Sequence, residues 1–280
     1  MGRWVLAWVL VGCGGTTSKG GDTGETGDVT TATGQTTTTT TTTEPEVPGG
    51  LAVSFVPFTL LEGGNVLDAQ LLDMGDGVGL PKERGEVDAG GGVFLTGALS
   101  EMQAPDFMPE ASWVGAVQVS EDEQLPVELN GDVVGMWYMG PFDYHLEPGF
   151  GIRLTGVKAG GTDRSYELWM ARYETSAWEI VGEAMFDKDG VTVAGDLSLI
   201  STLVLMDVTG VTEQPEVGEV GEETTLTGTV VYPDGTPYEG GRVQFCREGE
   251  CVTATTGADG GYSMDGLGSG RGSFEVIPVR

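Results

Sequence analysis

The chain has 280 residues, enough for two or three small domains. Its 43 acidic residues against 13 basic ones give a formal charge of −30. A polyanion of that size repels nucleic acid, which is gripped through Lys and Arg, so nucleic-acid binding is excluded. Glycine is abundant at 48 residues, and Val, Thr and aromatic residues recur in short runs between turn signals, so the expected fold class is all-β.

The first element in chain order is an export signal over residues 1–12. Arg3 supplies a positive start, and residues 4–11 form an apolar run too short to span a bilayer, for which a helix needs about 20 residues. The run ends in Leu10-Val11-Gly12-Cys13. This pattern resembles the lipobox of bacterial lipoproteins. The resemblance implies that Cys13 is acylated and becomes the first residue of the mature chain, anchored to a membrane. Gly14 is not the aspartate that holds lipoproteins in the inner membrane of many Gram-negative bacteria, so the same family rule implies the outer membrane or cell surface.

Residues 13–50 carry the lipidated cysteine and a tether of Gly, Thr, Ser, Asp and Glu, with an unbroken threonine run from Thr36 to Thr43. Such a composition cannot bury enough apolar surface to offset its ordering entropy, so disorder is expected. Random-coil scaling gives it a reach of roughly 35 Å. From Leu51 the texture changes to short apolar runs broken by Glu62-Gly63-Gly64 and Met74-Gly75-Asp76-Gly77, and 51–110 is expected to be a β module.

Region 111–210 offers strands at 113–119, 133–139, 151–157, 166–173, 178–186, 191–197 and 203–208, separated by turns such as Asn130-Gly131-Asp132 and Asp187-Lys188-Asp189-Gly190. Tyr166-Glu167-Leu168-Trp169-Met170, Trp178-Glu179-Ile180-Val181-Gly182-Glu183-Ala184 and Asp189-Gly190-Val191 make it similar to the ZU5-like β-sandwich region of bacterial surface proteins, which implies a structural or interaction role. Leu199-Ile200-Ser201 stands where that family often has His-Phe-Ser, so the match is partial. An acidic linker follows over 211–223.

The last module, 224–280, has strands at 225–231, 242–246, 251–255, 261–264 and 273–277. Thr227-Gly228-Thr229-Val230-Val231, Asp234-Gly235-Thr236-Pro237 and the run from Thr256 through Gly260-Gly261-Tyr262 to Leu267 carry a resemblance to the carboxypeptidase regulatory-like domain, a small transthyretin-like β-sandwich. That family is an accessory scaffold and implies no catalytic residue. A fainter repeat of the same signals over 62–97 raises the prospect of a degenerate copy within 51–110.

Three cysteines are present, and with Cys13 assigned to lipid, Cys246 and Cys251 remain as a close pair. Read as a hairpin with a four-residue loop, 243–254 sets Cys246 opposite Cys251, Phe245 opposite Val252, Val243 opposite Ala254 and Gln244 opposite Thr253. A disulfide is expected there, since directly opposed residues lie within its Cα range.

Other chemistry finds little footing. One histidine, His145, argues against histidine-rich metal sites and His-based triads, and no cofactor is implied. Glu121-Asp122-Glu123 reads as a solvated loop, and Asp187-Lys188-Asp189-Gly190 as a hairpin turn lacking the later glutamate of a calcium loop. The densest aromatic stretch, 136–145, has two readings. Trp137, Tyr138, Phe142 and Tyr144 beside acids could stack on sugar rings. Alternatively, Trp137 and Met139 alternate into the core while Tyr138 packs on a neighbouring strand, which is the favoured reading. The expectation is therefore a non-enzymatic, lipid-anchored envelope protein with a structural or protein-interaction role, or alternatively a carbohydrate-binding protein using 137–150.

Overall fold

A computed structural model describes residues 50–106, 108–158, 160–161, 163–215 and 221–278. The signal, Cys13 and the tether up to residue 49 lie outside the described residues.

The described chain is all-β, with one 3-10 turn and no α-helix. It opens with β1 (Ser54–Leu60), β2 (Asn65–Val66) and β3 (Ala69–Gln70). β4 (Val78–Gly79), β5 (Gly85–Gly90), β6 (Val93–Gly97), the 3-10 turn (Leu99–Glu101) and β7 (Met102–Gln103) follow. The long strands are β8 (Trp113–Val119), β9 (Asp132–Gly140), β10 (His145–Leu154), β11 (Tyr166–Arg172), β12 (Ala177–Asp187), β13 (Gly190–Leu199) and β14 (Leu203–Asp207). The chain closes with β15 (Glu223–Val231), β16 (Arg242–Arg247), β17 (Glu250–Thr255), β18 (Gly261–Gly268) and β19 (Gly270–Ile277).

β4 to β14 form one eleven-stranded sheet in the order β4-β8-β9-β14-β11-β12-β13-β10-β6-β5, with β7 added on β10. It curls until its ends meet. Gly90 and Gly91 lie so close to β8 that a Cβ would fall 2.8 Å from the Ala116 carbonyl oxygen and 2.7 Å from the Gln118 nitrogen. Inside the curl sit Leu95, Val114, Trp137, Met139, Phe150, Leu168, Leu197 and Leu205.

The terminal strands form two smaller sheets, β1-β19-β16-β17 and β18-β15-β2, with β3 also on β15. This corrects the expected division of the chain. Stretch 51–110 is not a module of its own: β1 pairs along its length with β19, β2 and β3 run parallel to β15, and β4–β7 join the large sheet. The module expected within 224–280 is thus completed by 54–70. The reason is burial. Ser54, Phe55 and Val56 are fully buried, a burial that β1 obtains between β19 and the large sheet. Gly228 makes the close approach of the early segment feasible, because a Cβ there would lie 1.9 Å from the Leu67 carbonyl oxygen.

A single core joins the terminal sheets to the outer face of the large one. Phe55, Val56, Leu226, Phe274 and Val276 share it with Val119, Met136, Tyr138, Ala171, Val204 and Met206. This explains why β9 and β14 read as nearly continuous apolar runs: they are buried on both faces. β13, wet on one face, alternates instead. The acidic linker is tied down at its start, where Asn130 donates to the Gln214 side chain at 2.8 Å and to the Glu213 carbonyl at 2.8 Å.

Candidate functional site

The aromatic stretch is core. Trp137 and Met139 point into the curl and Tyr138 into the shared core, because β9 is a central strand with apolar layers on both sides. Trp137 is fully buried and its Nε1 donates to the Gly91 carbonyl at 2.9 Å. Tyr138 and Tyr144 are buried, the latter donating to the Pro109 carbonyl. Phe142, 8% exposed, packs against Phe55 at a centroid distance of 5.0 Å. Trp137, Tyr138 and Tyr144 are enclosed and Phe142 reaches only a narrow cleft, so the four form no open aromatic platform and the sugar-stacking reading of Trp137, Tyr138, Phe142 and Tyr144 is corrected.

Cys246 and Cys251 are joined, with an S–S distance of 2.06 Å and Cα atoms 4.0 Å apart. The register is Val243↔Ala254, Gln244↔Thr253, Phe245↔Val252 and Cys246↔Cys251. Pairing runs one step further than the sequence suggested, to Arg247↔Glu250, which leaves a two-residue turn. Glu248 and Gly249 both take positive φ there, 50° and 82°, the primed geometry that tight hairpins favour. Glu121 and Asp122 are exposed, and Asp187 to Gly190 make a hairpin turn in which Asp189 N donates to Asp187 Oδ1 at 2.7 Å.

The register then assembles a site that the sequence did not single out. Phe55 pairs with Glu275, and Glu275 with Gln244, so these three side chains share one face across β1, β19 and β16. That face looks onto the large sheet, while Val56, Phe274 and Phe245 occupy the opposite face, inside the terminal sandwich. Opposite stand Phe142 and Asp143 from the β9–β10 turn and Tyr173 from the end of β11. Between them lies a cleft of about 180 Å³.

Two carboxyls line this cleft. Asp143 is 7% exposed and adopts φ 65°. Ile200 holds its turn on both sides: Asp143 N donates to the Ile200 carbonyl at 2.8 Å and Ile200 N to the Tyr144 carbonyl at 2.9 Å. Asp143 Oδ1 is buried without a hydrogen-bond partner among the described residues. Burial pushes the Asp143 carboxyl up to about 6, against the pull of His145. Glu275 is 5% exposed and accepts from Gln244 Nε2. Burial pushes it up to about 7, opposed by Gln244 and Arg242 and reinforced by the negative charge of Asp143. Both carboxyls therefore exchange protons close to neutral pH, which is the behaviour of acids in an apolar setting.

Tyr173 forms the remaining wall. Its ring stands at 86° to Phe142, and its hydroxyl lies 3.6 Å from Cys246 Sγ and 3.7 Å from Cys251 Sγ. The disulfide thus braces the wall of the cleft. Asp143 sat in plain view within the aromatic stretch, but nothing local in the sequence marks it as buried; Glu275, a lone acid in an apolar strand, was the better signal. In comparisons with known proteins, no family model, no curated protein and no solved structure matches the chain.

Proposed function

We propose that the chain is a lipid-anchored protein of the cell envelope, with Cys13 as the anchor and an all-β head in a structural or protein-interaction role. The observation that carries this reading is the mounting of the head. The strand that follows the tether, β1, is buried and paired with β19 from Ser54↔Val276 to Leu60↔Gly270. A tether ending in such a strand holds the whole head by its core, as a displayed domain requires. The disulfide supports export to an oxidising compartment. Outer membrane or surface placement follows from the lipobox reading with Gly14. Among the described residues no helix is long and apolar enough to cross a membrane.

The test combines mass spectrometry of the mature N-terminus with fractionation and protease shaving of intact cells. A diacylglyceryl-modified Cys13, membrane recovery lost in Cys13→Ala, and cleavage of the head from outside are expected. A soluble product that starts elsewhere overturns the anchor. Crosslinking the head in intact envelope to a reproducible protein neighbour is expected for the interaction role, and a head that crosslinks to nothing overturns it.

A further inference from the structure

We propose that the cleft between the terminal sheets and the large sheet binds a small organic cation, an alkylammonium group, seated between Asp143 and Glu275 and against the rings of Phe142 and Tyr173. This inference does not depend on where the protein is anchored.

Asp143 is 7% exposed, it lines the cleft, and its Oδ1 has no hydrogen-bond partner among the described residues. A buried acceptor left unmade is costly, and an N–H of a bound cation would satisfy it. Glu275 lines the same cleft with Gln244 as hydrogen-bond partner. Among the described residues no basic side chain lines the cleft. Two arginines stand behind the lining residues: Arg242 donates to Gln244 Oε1 at 2.8 Å and acts on Glu275 through space, and Arg172 acts on Asp143 through space while pairing with Glu179 and, at 3.8 Å, with Glu174. His145 acts on Asp143 through space.

The walls select an organic cation. Phe142 and Tyr173 meet at 86° with centroids 6.3 Å apart, an aromatic corner of the kind that attracts ammonium groups. Met108 adds a soft apolar surface. A hard metal ion asks for about six or more oxygen ligands, and among the described residues no group of three or more His, Cys, Asp or Glu could hold a metal. The volume of about 180 Å³ accommodates roughly six water-sized groups, the scale of a short alkylamine. The charge of −30 raises the concentration of cations at the surface around the mouth.

The experiment is calorimetric titration of the purified full-length chain with n-butylammonium chloride at about pH 8, where both carboxyls are ionised, with n-butanol as the neutral control at matched ionic strength. Saturable one-to-one binding is expected, with n-butanol at least about tenfold weaker and Asp143→Asn and Glu275→Gln each weakening the cation by about tenfold. Asn tolerates the left-handed backbone of position 143, and Gln keeps an acceptor for Gln244, so both variants should fold. Equal binding of n-butanol would reduce the cleft to an apolar hole and overturn the proposal. So would non-saturating heats that both variants leave unchanged, which signal counter-ions gathering on the acidic surface. Saturation transfer from the aromatic protons of the wild-type protein to the butyl chain is the second readout, and its absence overturns the proposal even if a variant fails to fold.

Discussion

Replacing Glu275 by Gln should stabilise the protein at alkaline pH and do nothing at acid pH. Glu275 lies on the central strand β19, 5% exposed, with Gln244 as its hydrogen-bond partner and the charge of Asp143 as an unfavourable neighbour. Moving its carboxyl from the ordinary 4.5 to about 7 corresponds to about 3 kcal/mol of preference for the protonated form in the folded state. The sign follows from linkage. A folded-state pKa above the unfolded one means that the native protein binds more protons, so the contribution is fully present below about pH 4, is lost as pH rises through about 7, and is gone by about pH 8. Gln cannot ionise and keeps the acceptor for Gln244 Nε2, so the variant should not lose it. Urea unfolding of both proteins at half-unit steps from pH 4 to 8 gives the difference in stability directly. The variant is expected to match the wild type at the acid end and exceed it by about 2–3 kcal/mol at the alkaline end, less whatever part of the shift is mutual with Asp143. The difference is the informative quantity, because the wild type alone also gains stability in acid as its overall negative charge falls. A difference that stays flat across this range would refute the burial argument.

The double change Cys246→Ser with Cys251→Ser, which opens a loop of sequence separation 5, should cost about 2 kcal/mol in urea unfolding under oxidising conditions; two free thiols from these residues in denatured, unreduced wild type would show that the bond never forms. Trp137→Ala empties a site at the centre of the curled sheet and should cost about 3–5 kcal/mol in the same assay; a loss below about 1 kcal/mol would place the indole outside the core. Residues 224–280 alone should give a poorly dispersed NMR spectrum, because β1, β2 and β3 supply strands to both of their sheets; a well-dispersed spectrum of the isolated segment would contradict the shared architecture. Gly228→Ala should destabilise by more than the ~1 kcal/mol typical of a point substitution, since its Cβ would meet the Leu67 carbonyl oxygen at 1.9 Å; unchanged unfolding would show that β2 and β3 move aside freely.

What the sequence determined by itself was local. Period-two runs and turn residues marked the long strands of the large sheet, from β8 (Trp113–Val119) to β14 (Leu203–Asp207), to within two residues except β10, which starts at His145 where 151 was expected, and the alternation within 243–254 was enough to set Cys246 against Cys251. Both signals arise from neighbouring residues that must share a face or a turn, so they survive without any knowledge of the rest of the chain. The partners of the first strands could not be read this way. Nothing in Ser54–Leu60 says that it pairs with Gly270–Ile277, more than two hundred residues along the chain, because an edge offers the same backbone groups to any strand that reaches it. The aromatic stretch was ambiguous for the same reason: Trp137 and Tyr138 look alike whether wet or buried, and only the layers stacked on both faces of β9 decide. The cleft is tertiary in origin throughout. Asp143 and Glu275 are ordinary acids among 43, and they come to line the same dry cleft only because β19 lies between β1 and β16 and turns one face toward the large sheet.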